Sequence, residues 1–194
     1  LDALIYPTPH GGTRFRPKVV KLGGKQQFPY LVDPNTGESM YESADIIEYL
    51  YRRYGGRASP TRLLRPVEVS TSLVAGVARL RAGGRARPSK APKKPLELFS
   101  FESSPYSRRV RELLSELELP YLLRSTGKAG WQDLGPPQLR AALFPGRPVE
   151  GRTRTELLKL AGKVQVPYLV DPNTGTEMFE SEAIRAYLLK TYAR

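Results

Sequence analysis

Residues 28–43 read F-P-Y-L-V-D-P-N-T-G-E-S-M-Y-E-S, and residues 166–181 read V-P-Y-L-V-D-P-N-T-G-T-E-M-F-E-S. The stretches lie 138 residues apart without a gap, and 12 of the 15 positions from Pro29 to Ser43 are identical to their counterparts. The match runs backward through Lys21/Lys159, Leu22/Leu160 and Gly24/Gly162, and forward through Ile46/Ile184, Tyr49/Tyr187 and Tyr54/Tyr192. Solenoid repeats have periods of roughly 20–50 residues. A spacing this long marks two copies of one domain-sized unit.

The second copy is legible in full. Leu96 to Ser100 (L-E-L-F-S) alternates like a strand. A Ser104-Pro105 turn leads into a helix over Ser107–Leu117, with Val110, Leu113, Leu114 and Leu117 on one face. Pro120 closes that helix and Tyr121–Leu123 forms a second strand. A Gly- and Pro-rich loop from Arg124 to about Gly151 follows, with Trp131 and a short helix expected at 138–143. Thr153–Leu160 is helical. Tyr168–Val170 and Glu177–Phe179 are strands joined by an Asp171–Gly175 hairpin turn. Ser181 is the expected N-cap of a last helix ending at Tyr192. The order β-α-β-α-β-β-α, opening with a parallel right-handed crossover, is the thioredoxin-like layout.

The first copy is shorter, because its F-P-Y-L-V-D-P-N-T-G run begins only 28 residues from Leu1. Leu1–Tyr6 matches the second strand at best, so the opening strand and helix are missing. Either residues upstream of Leu1 have been removed, or another chain supplies them in a domain-swapped homodimer. The resulting division is a partial unit over 1–55, a basic linker over 56–94 and a complete unit over 95–194. The linker should hold an amphipathic helix at about 70–82, built on Leu73, Val74, Val77 and Leu80. Beyond it, R-A-R-P-S-K-A-P-K-K-P reads as a flexible tether.

Net charge is +12, and Arg57–Lys94 holds ten Lys or Arg against the single acid Glu68. Most of the basic character therefore belongs to the linker. Cysteine is absent and His10 is the only histidine. That removes thiolate chemistry, Cys-type metal sites and His clusters. His10, beside Gly11 and Gly12, reads as an exposed loop residue. No apolar run approaches the roughly 20 residues of a membrane span.

S-S-P-Y-S-R-R-V-R-E-L-L, then V-P-Y-L-V-D, then E-S-E-A-I resemble, in order, the N-terminal glutathione-binding domain of soluble glutathione transferases. The whole chain looks like the plant and algal proteins that carry two such domains in tandem, typically sent to the chloroplast. The resemblance implies glutathione as the ligand and cis peptides at Val166-Pro167 and Phe28-Pro29. It implies that the backbone of Val166 meets the cysteinyl part, and that Glu180-Ser181, at a helix N-terminus, takes the γ-glutamyl end. Such a terminus, with its free N–H groups, is a natural carboxylate site. Glu42 and Ser43 are the first-unit equivalents. Ser104 stands at the catalytic position of the Ser-type classes, where its hydroxyl would face the glutathione sulfur. Glutaredoxin-like members carry Cys-Pro-Tyr-Cys where this chain has Ser104-Pro-Tyr-Ser107, so it is no disulfide oxidoreductase. A cation for the glycyl carboxylate would come from Arg152 or Arg154, repeated as Arg14 and Arg16. Each position has a plainer structural explanation: an N-cap at Ser181, a Ser-Pro helix start at Ser104, solvated surface at the arginines.

Two functions of different class stay open. One is a glutathione-binding module with weak Ser-type transferase activity in the second unit. The other is a non-catalytic interaction module that keeps the fold. Nucleic-acid binding ranks last, since the linker lacks aromatics for base stacking, and peripheral membrane contact through the linker helix ranks behind packing.

Overall fold

The computed structural model describes residues 1–56, 82–127 and 149–194. The helices expected at 70–82 (all but Ala82) and 138–143 lie outside the described residues, as does Trp131.

The protein is mixed α/β. The second unit contains β4 (Leu96–Ser100), α3 (Pro105–Glu116), β5 (Tyr121–Ser125), α4 (Arg152–Ala161), β6 (Tyr168–Asp171), β7 (Thr176–Phe179) and α5 (Ser181–Tyr192). β4 and β5 are parallel, and β6 and β7 run antiparallel beside them. This is the complete thioredoxin-like order. The alternation of β4 sorts its side chains. Leu96 and Leu98 join the core with Val110, Leu113, Leu114 and Leu117 of α3 and its C-cap, and with Ile184 and Leu188 of α5. Phe99 lies on the opposite face with Leu157 of α4 and Tyr168.

The first unit contains β1 (Asp2–Ile5), α1 (Arg16–Gly23), β2 (Tyr30–Asp33), β3 (Glu38–Tyr41) and α2 (Ser43–Tyr54). From β2 onward its elements repeat the second unit residue for residue, and among the described residues no strand or helix of this unit precedes β1. β2 and β3 make a separate two-stranded sheet. β1 behaves differently from the sequence expectation. It is the edge strand of the second unit's sheet, antiparallel to β5, with Asp2 opposite Arg124 and Ile5 opposite Tyr121. The sheet order is β1-β5-β4-β6-β7. There β1 satisfies its backbone groups on the otherwise free edge of β5.

The supposed tether is also corrected. Residues 85–94 form an extended strap hydrogen-bonded to the folded body. Ala86 N donates to His10 O (2.9 Å), Arg87 N to Glu116 O (2.7 Å) and Lys90 N to Tyr192 O (2.7 Å). Lys94 N donates to Asn173 Oδ1 (2.8 Å). The strap thus bridges the C-terminal ends of α3 and α5.

Each hairpin carries the same buried lock. Tyr187 and Tyr192 donate to Asp171 Oδ2 at 2.6 and 2.5 Å, and Tyr49 and Tyr54 to Asp33 Oδ2 at 2.7 and 2.6 Å. The second carboxylate oxygen accepts the backbone N–H of Asn173 or Asn35. The hydroxyls of Tyr54 and then Tyr49 hold Asp33 at about 2. Burial pushes Asp171 up, but Tyr187, Tyr192 and Asn173 together bring it below the ordinary value. The lock fastens the turn after β2 or β6 to the last helix of its unit.

Candidate functional site

The strand register defines one end of the sheet. Asp2, Arg124, Phe99, Tyr168 and Phe179 form a single row across its five strands. Just beyond that row lie Val166-Pro167 before β6, Glu180-Ser181 after β7, and Ser104 at the start of α3 after β4. The antiparallel β6–β7 register, continued outward, sets Val166 opposite Ser181. A side-chain bond ties the same two segments: Gln165 Nε2 donates to Glu180 Oε1 at 2.5 Å. Gln165 was missed from sequence, although Gln27 repeats it and donates to Glu42 Oε1 in the first unit. Identical spacing in both copies was the available signal.

Glu180 is not an ordinary turn residue. Its φ is 68° and ψ 117°, and Glu42 has φ 67° and ψ 116°. Positive φ is unfavourable for a residue with a Cβ. Glu180 takes the N-cap place and Ser181 is the first residue of α5, so Ser181 is not the cap the sequence suggested. The sharp turn at Glu180 moves the helix boundary one residue forward. Ser181 is buried, while Glu180 is exposed.

Ser104 caps α3. Its Oγ accepts from Ser107 N at 3.2 Å, with Pro105 in the first turn. The hydroxyl proton remains available to a group in front of the helix. Behind it, the Oγ atoms of Ser100 and Ser107 are buried without a hydrogen-bond partner. Thr126 Oγ1 donates to Ser100 O at 3.1 Å. α3 and α5 begin at this end of the sheet, and Arg109 Nη1 meets Glu182 Oε1 at 2.9 Å across their first turns. Two positive helix ends therefore face the same space.

The arginines are placed otherwise than the sequence implied. Arg152 Nη2 pairs with Asp2 Oδ2 at 2.9 Å, and its Nη1 with Glu156 Oε1 at 3.3 Å. Arg124 Nη1 shares Asp2 Oδ2 at 2.8 Å, and its Nε reaches Glu97 Oε2 at 3.2 Å. Burial works against the charge of Asp2, but Arg152 and Arg124 outweigh it and hold its carboxyl below the usual range. Arg14 Nη1 donates to the carbonyls of Glu118 (2.6 Å) and Leu117 (3.2 Å) at the end of α3. Arg16 Nε donates to Pro9 O at 2.7 Å, and its guanidinium lies 4.7 Å from the Phe28 ring centre. Arg154 is half-buried in α4.

The peptide bonds Phe28-Pro29 and Val166-Pro167 are cis. In the first unit, Phe28, Pro29, Glu42 and Ser43 occupy the equivalent positions, and among the described residues of that unit none takes the place of Ser104. Two hollows are formed elsewhere by described residues. One lies along α4, beside Glu97, Phe99, Lys159 and Glu177. The other lies under the strap, beside Arg14, Arg87 and Glu118. Neither touches Ser104, Val166, Glu180 or Ser181.

The chain is similar to two solved structures of Bombyx mori glutathione transferase BmGSTD1, one a complex with GTT. Identities are 25% and 23% and TM-scores 0.37 and 0.35, and each match covers 54% of this chain and 39% of that chain. The chain thus spans less than half the length of either. No curated protein matches. The family model described as "Glutathione S-transferase, N-terminal domain" matches residues 1–58 and 98–194, and the chain belongs to that family.

Proposed function

We propose that the second unit binds glutathione at the end of the sheet where β6 begins and β7 ends, and that its chemistry is at most a weak Ser-type transfer. The observation that carries this reading is the juxtaposition of three segments through the β4–β6–β7 register, tied by the Gln165–Glu180 bond. The backbone of Val166 can pair with the cysteinyl part as an added strand would. The N-terminus of α5, with the Ser181 hydroxyl, suits the γ-glutamyl carboxylate, and Glu180 suits its ammonium. The positive φ of Glu180 supports a ligand role, because strained backbone gathers at binding sites. The Ser104 hydroxyl and the end of α3 would stabilise a thiolate.

A non-catalytic interaction module remains the second reading. It is favoured by the capping role of Ser104, which already explains that side chain, and by hollows that lie away from the site. Neither of these hollows lies where a second reactant would meet a thiol held at Ser104, and positioning both reactants is a major part of rate.

Calorimetric titration of the full chain with reduced glutathione tests the proposal. Binding is expected to be weak, and Ser181→Ala should weaken it about tenfold, the scale of one hydrogen bond to a charged group. No heat at millimolar glutathione would remove the ligand reading and leave the interaction module.

A further inference from the structure

The strap turns a run of charge into a fixed surface. The backbone N–H groups of Ala86, Arg87, Lys90 and Lys94 are held by the folded body, so residues 85–94 follow one course. Fully extended, they cover about 30 Å. Arg85, Arg87, Lys90, Lys93 and Lys94 are exposed along it. Two exposed cations of the chain end flank the same course. Arg194 N donates to Pro88 O at 3.1 Å, and Lys190 lies in the last turn of α5, whose Tyr192 O accepts from Lys90 N.

The acids nearby are already occupied. The Glu116 carboxylate takes Arg87 at 3.3 Å and the N–H of Gly83 at 2.9 Å. Glu118 is buried and accepts from the backbone of Thr13 and Arg14. Asp171 is buried in its tyrosine lock. The C-terminal ends of α3 and α5 add only about half a negative charge each, against the five Lys or Arg of the strap. Residues 57–81 and 128–148 carry eight Lys or Arg against two acids, Glu68 and Asp133. By composition they add to the positive surplus.

This basic end lies opposite the candidate ligand site. α3 and α5 both begin at the site end, and each runs 12 residues towards the strap, about 18 Å.

The spacing of the cations selects the kind of anion. Along an extended strap, positions 85, 87, 90, 93 and 94 stand about 3 to 10 Å apart with no constant interval. A nucleic-acid strand presents its phosphates at a fixed repeat, and the strap has no aromatic side chain on which a base could stack. In a fluid bilayer the anionic headgroups move to meet the cations, so irregular spacing costs little. The strap's apolar residues are alanine and proline alone, which leaves nothing large to insert among acyl chains.

We propose that the strap end of the second unit docks on an anionic lipid surface, reversibly and by charge, and leaves the opposite end of the sheet in water. This goes beyond the glutathione reading and does not depend on it.

Co-sedimentation of the full chain with vesicles tests the proposal. The probes are vesicles of phosphatidylcholine alone and of phosphatidylcholine with about one third phosphatidylglycerol. The chain should sediment with the anionic vesicles only, and raising salt from about 50 to about 300 mM should weaken partitioning at least about tenfold. Lys90→Gln, Lys93→Gln and Lys94→Gln together remove charge but keep every backbone bond of the strap. That variant should keep the native unfolding midpoint and partition about tenfold less, or weaker still. Lys93→Glu, a single exposed change, serves if the triple variant does not fold, and should lose about threefold or more. Lys21→Gln, Lys25→Gln and Arg53→Gln together take the same charge from the first unit and should lose no more than about threefold.

No sedimentation with anionic vesicles overturns the proposal, as does equal partitioning to both kinds. A strap variant that binds like the native chain also overturns it, because the attachment then lies elsewhere. A first-unit variant that loses as much as the strap variant does the same, because only net charge then counts. If duplex DNA of random sequence binds more tightly than the anionic vesicles at equal salt, and loses affinity in the strap variant, the face belongs to nucleic acid and the lipid assignment falls.

Discussion

Arg14 and Glu118 hold each other twice. The Arg14 backbone N–H donates to the Glu118 carboxylate at 3.1 Å, and the Arg14 guanidinium donates to the Glu118 carbonyl at 2.6 Å. Glu118 stands just past α3 with φ 47°, left-handed, where helices commonly place glycine. Its strained turn points the last carbonyls of α3 at the first unit, and Arg14 satisfies them. Arg152, the second-unit counterpart of Arg14, reaches the other way to Asp2. The two equivalent arginines thus clasp the units from both sides.

Arg14→Ala should therefore cost about 2–3 kcal/mol, since it strips hydrogen bonds from a charged donor at partly buried carbonyls. Denaturant unfolding should show a lower midpoint at unchanged slope. Arg14→Lys should recover only part of the loss, because an ammonium lacks the planar fork that reaches the α3 carbonyls and the Ser89 oxygens together. An alanine variant as stable as the native chain would reject the clasp.

Gly12 makes a second close contact at this junction. A Cβ there would lie 2.6 Å from Glu118 Oε1 and 2.9 Å from the backbone oxygen of Pro9. The carboxylate can swing aside, but the Pro9 backbone cannot move so cheaply. Gly12→Ala should cost about 1–3 kcal/mol of stability, the usual range for overpacking, read as a lower unfolding midpoint. Gly11→Ala is a poor comparison, because its φ of 76° penalises any side chain. Gly84→Ala, with open space around its Cβ position, is the proper control and should be nearly neutral.

Much of this architecture was legible in the chain, and the reason for each miss is physical. The second unit's order followed from local periodicity and turn residues, and β4 was bounded correctly by L-E-L-F-S. The partner of β1 was not legible, because a strand's choice of edge depends on which edges the rest of the fold leaves open. The strap was misread since charge and proline count say nothing about where backbone groups find partners. At the site, Val166, Glu180, Ser181 and Ser104 came from motifs whose convergence the strand register supplies. The pairing of Arg152 with Asp2 was not legible, because Asp2 arrives from the other unit.

The Asp–Tyr locks predict a pH dependence. A carboxyl whose folded value lies below its unfolded one binds fewer protons when folded, so it adds stability at neutral pH. That contribution is lost as pH falls through the folded value. For Asp33 the window runs from its ordinary 3.8 down to about 2. Asp171, shifted in the same direction, loses its contribution below 3.8 as well. Unfolding midpoints should fall across this range. Asp33→Asn and Asp171→Asn should each be less stable at neutral pH and show a flatter acid slope. Slopes identical to the native chain would mean that the tyrosine bonds do not persist in solution.

Glu180 sets stability against binding. Its φ of 68° disfavours a side chain, and glycine would relieve strain worth about 1 kcal/mol. Glycine also removes the carboxylate that Gln165 orients. Glu180→Gly should therefore melt at the same temperature as the native chain or higher, while losing glutathione affinity by about tenfold. Loss of both stability and binding would instead mark Glu180 as a structural residue. Glu42→Gly, at the same backbone angle in the first unit, should reproduce the stability change and leave second-unit binding intact.

Ser104 separates the catalytic from the structural explanation most sharply. As the cap of α3 it accepts from Ser107 N, and Ser104→Ala should cost about 1 kcal/mol on that account alone. Ser104→Asp would keep the cap, since an aspartate accepts the same bond equally well, but it has no proton to give a sulfur and brings a negative charge towards a thiolate. If Ser104 acts on the ligand's thiol, both variants should abolish conjugation of a reactive electrophile to glutathione, while Ser104→Asp keeps native stability. The acidity of bound glutathione, followed by thiolate absorbance, should then fall in both variants. If Ser104 only caps the helix, Ser104→Ala should lose stability but keep the native chain's activity and thiol acidity, and any activity in the chain must come from other groups. Glutathione affinity should change little in Ser104→Ala, because the anchors at Val166, Glu180 and Ser181 are left in place.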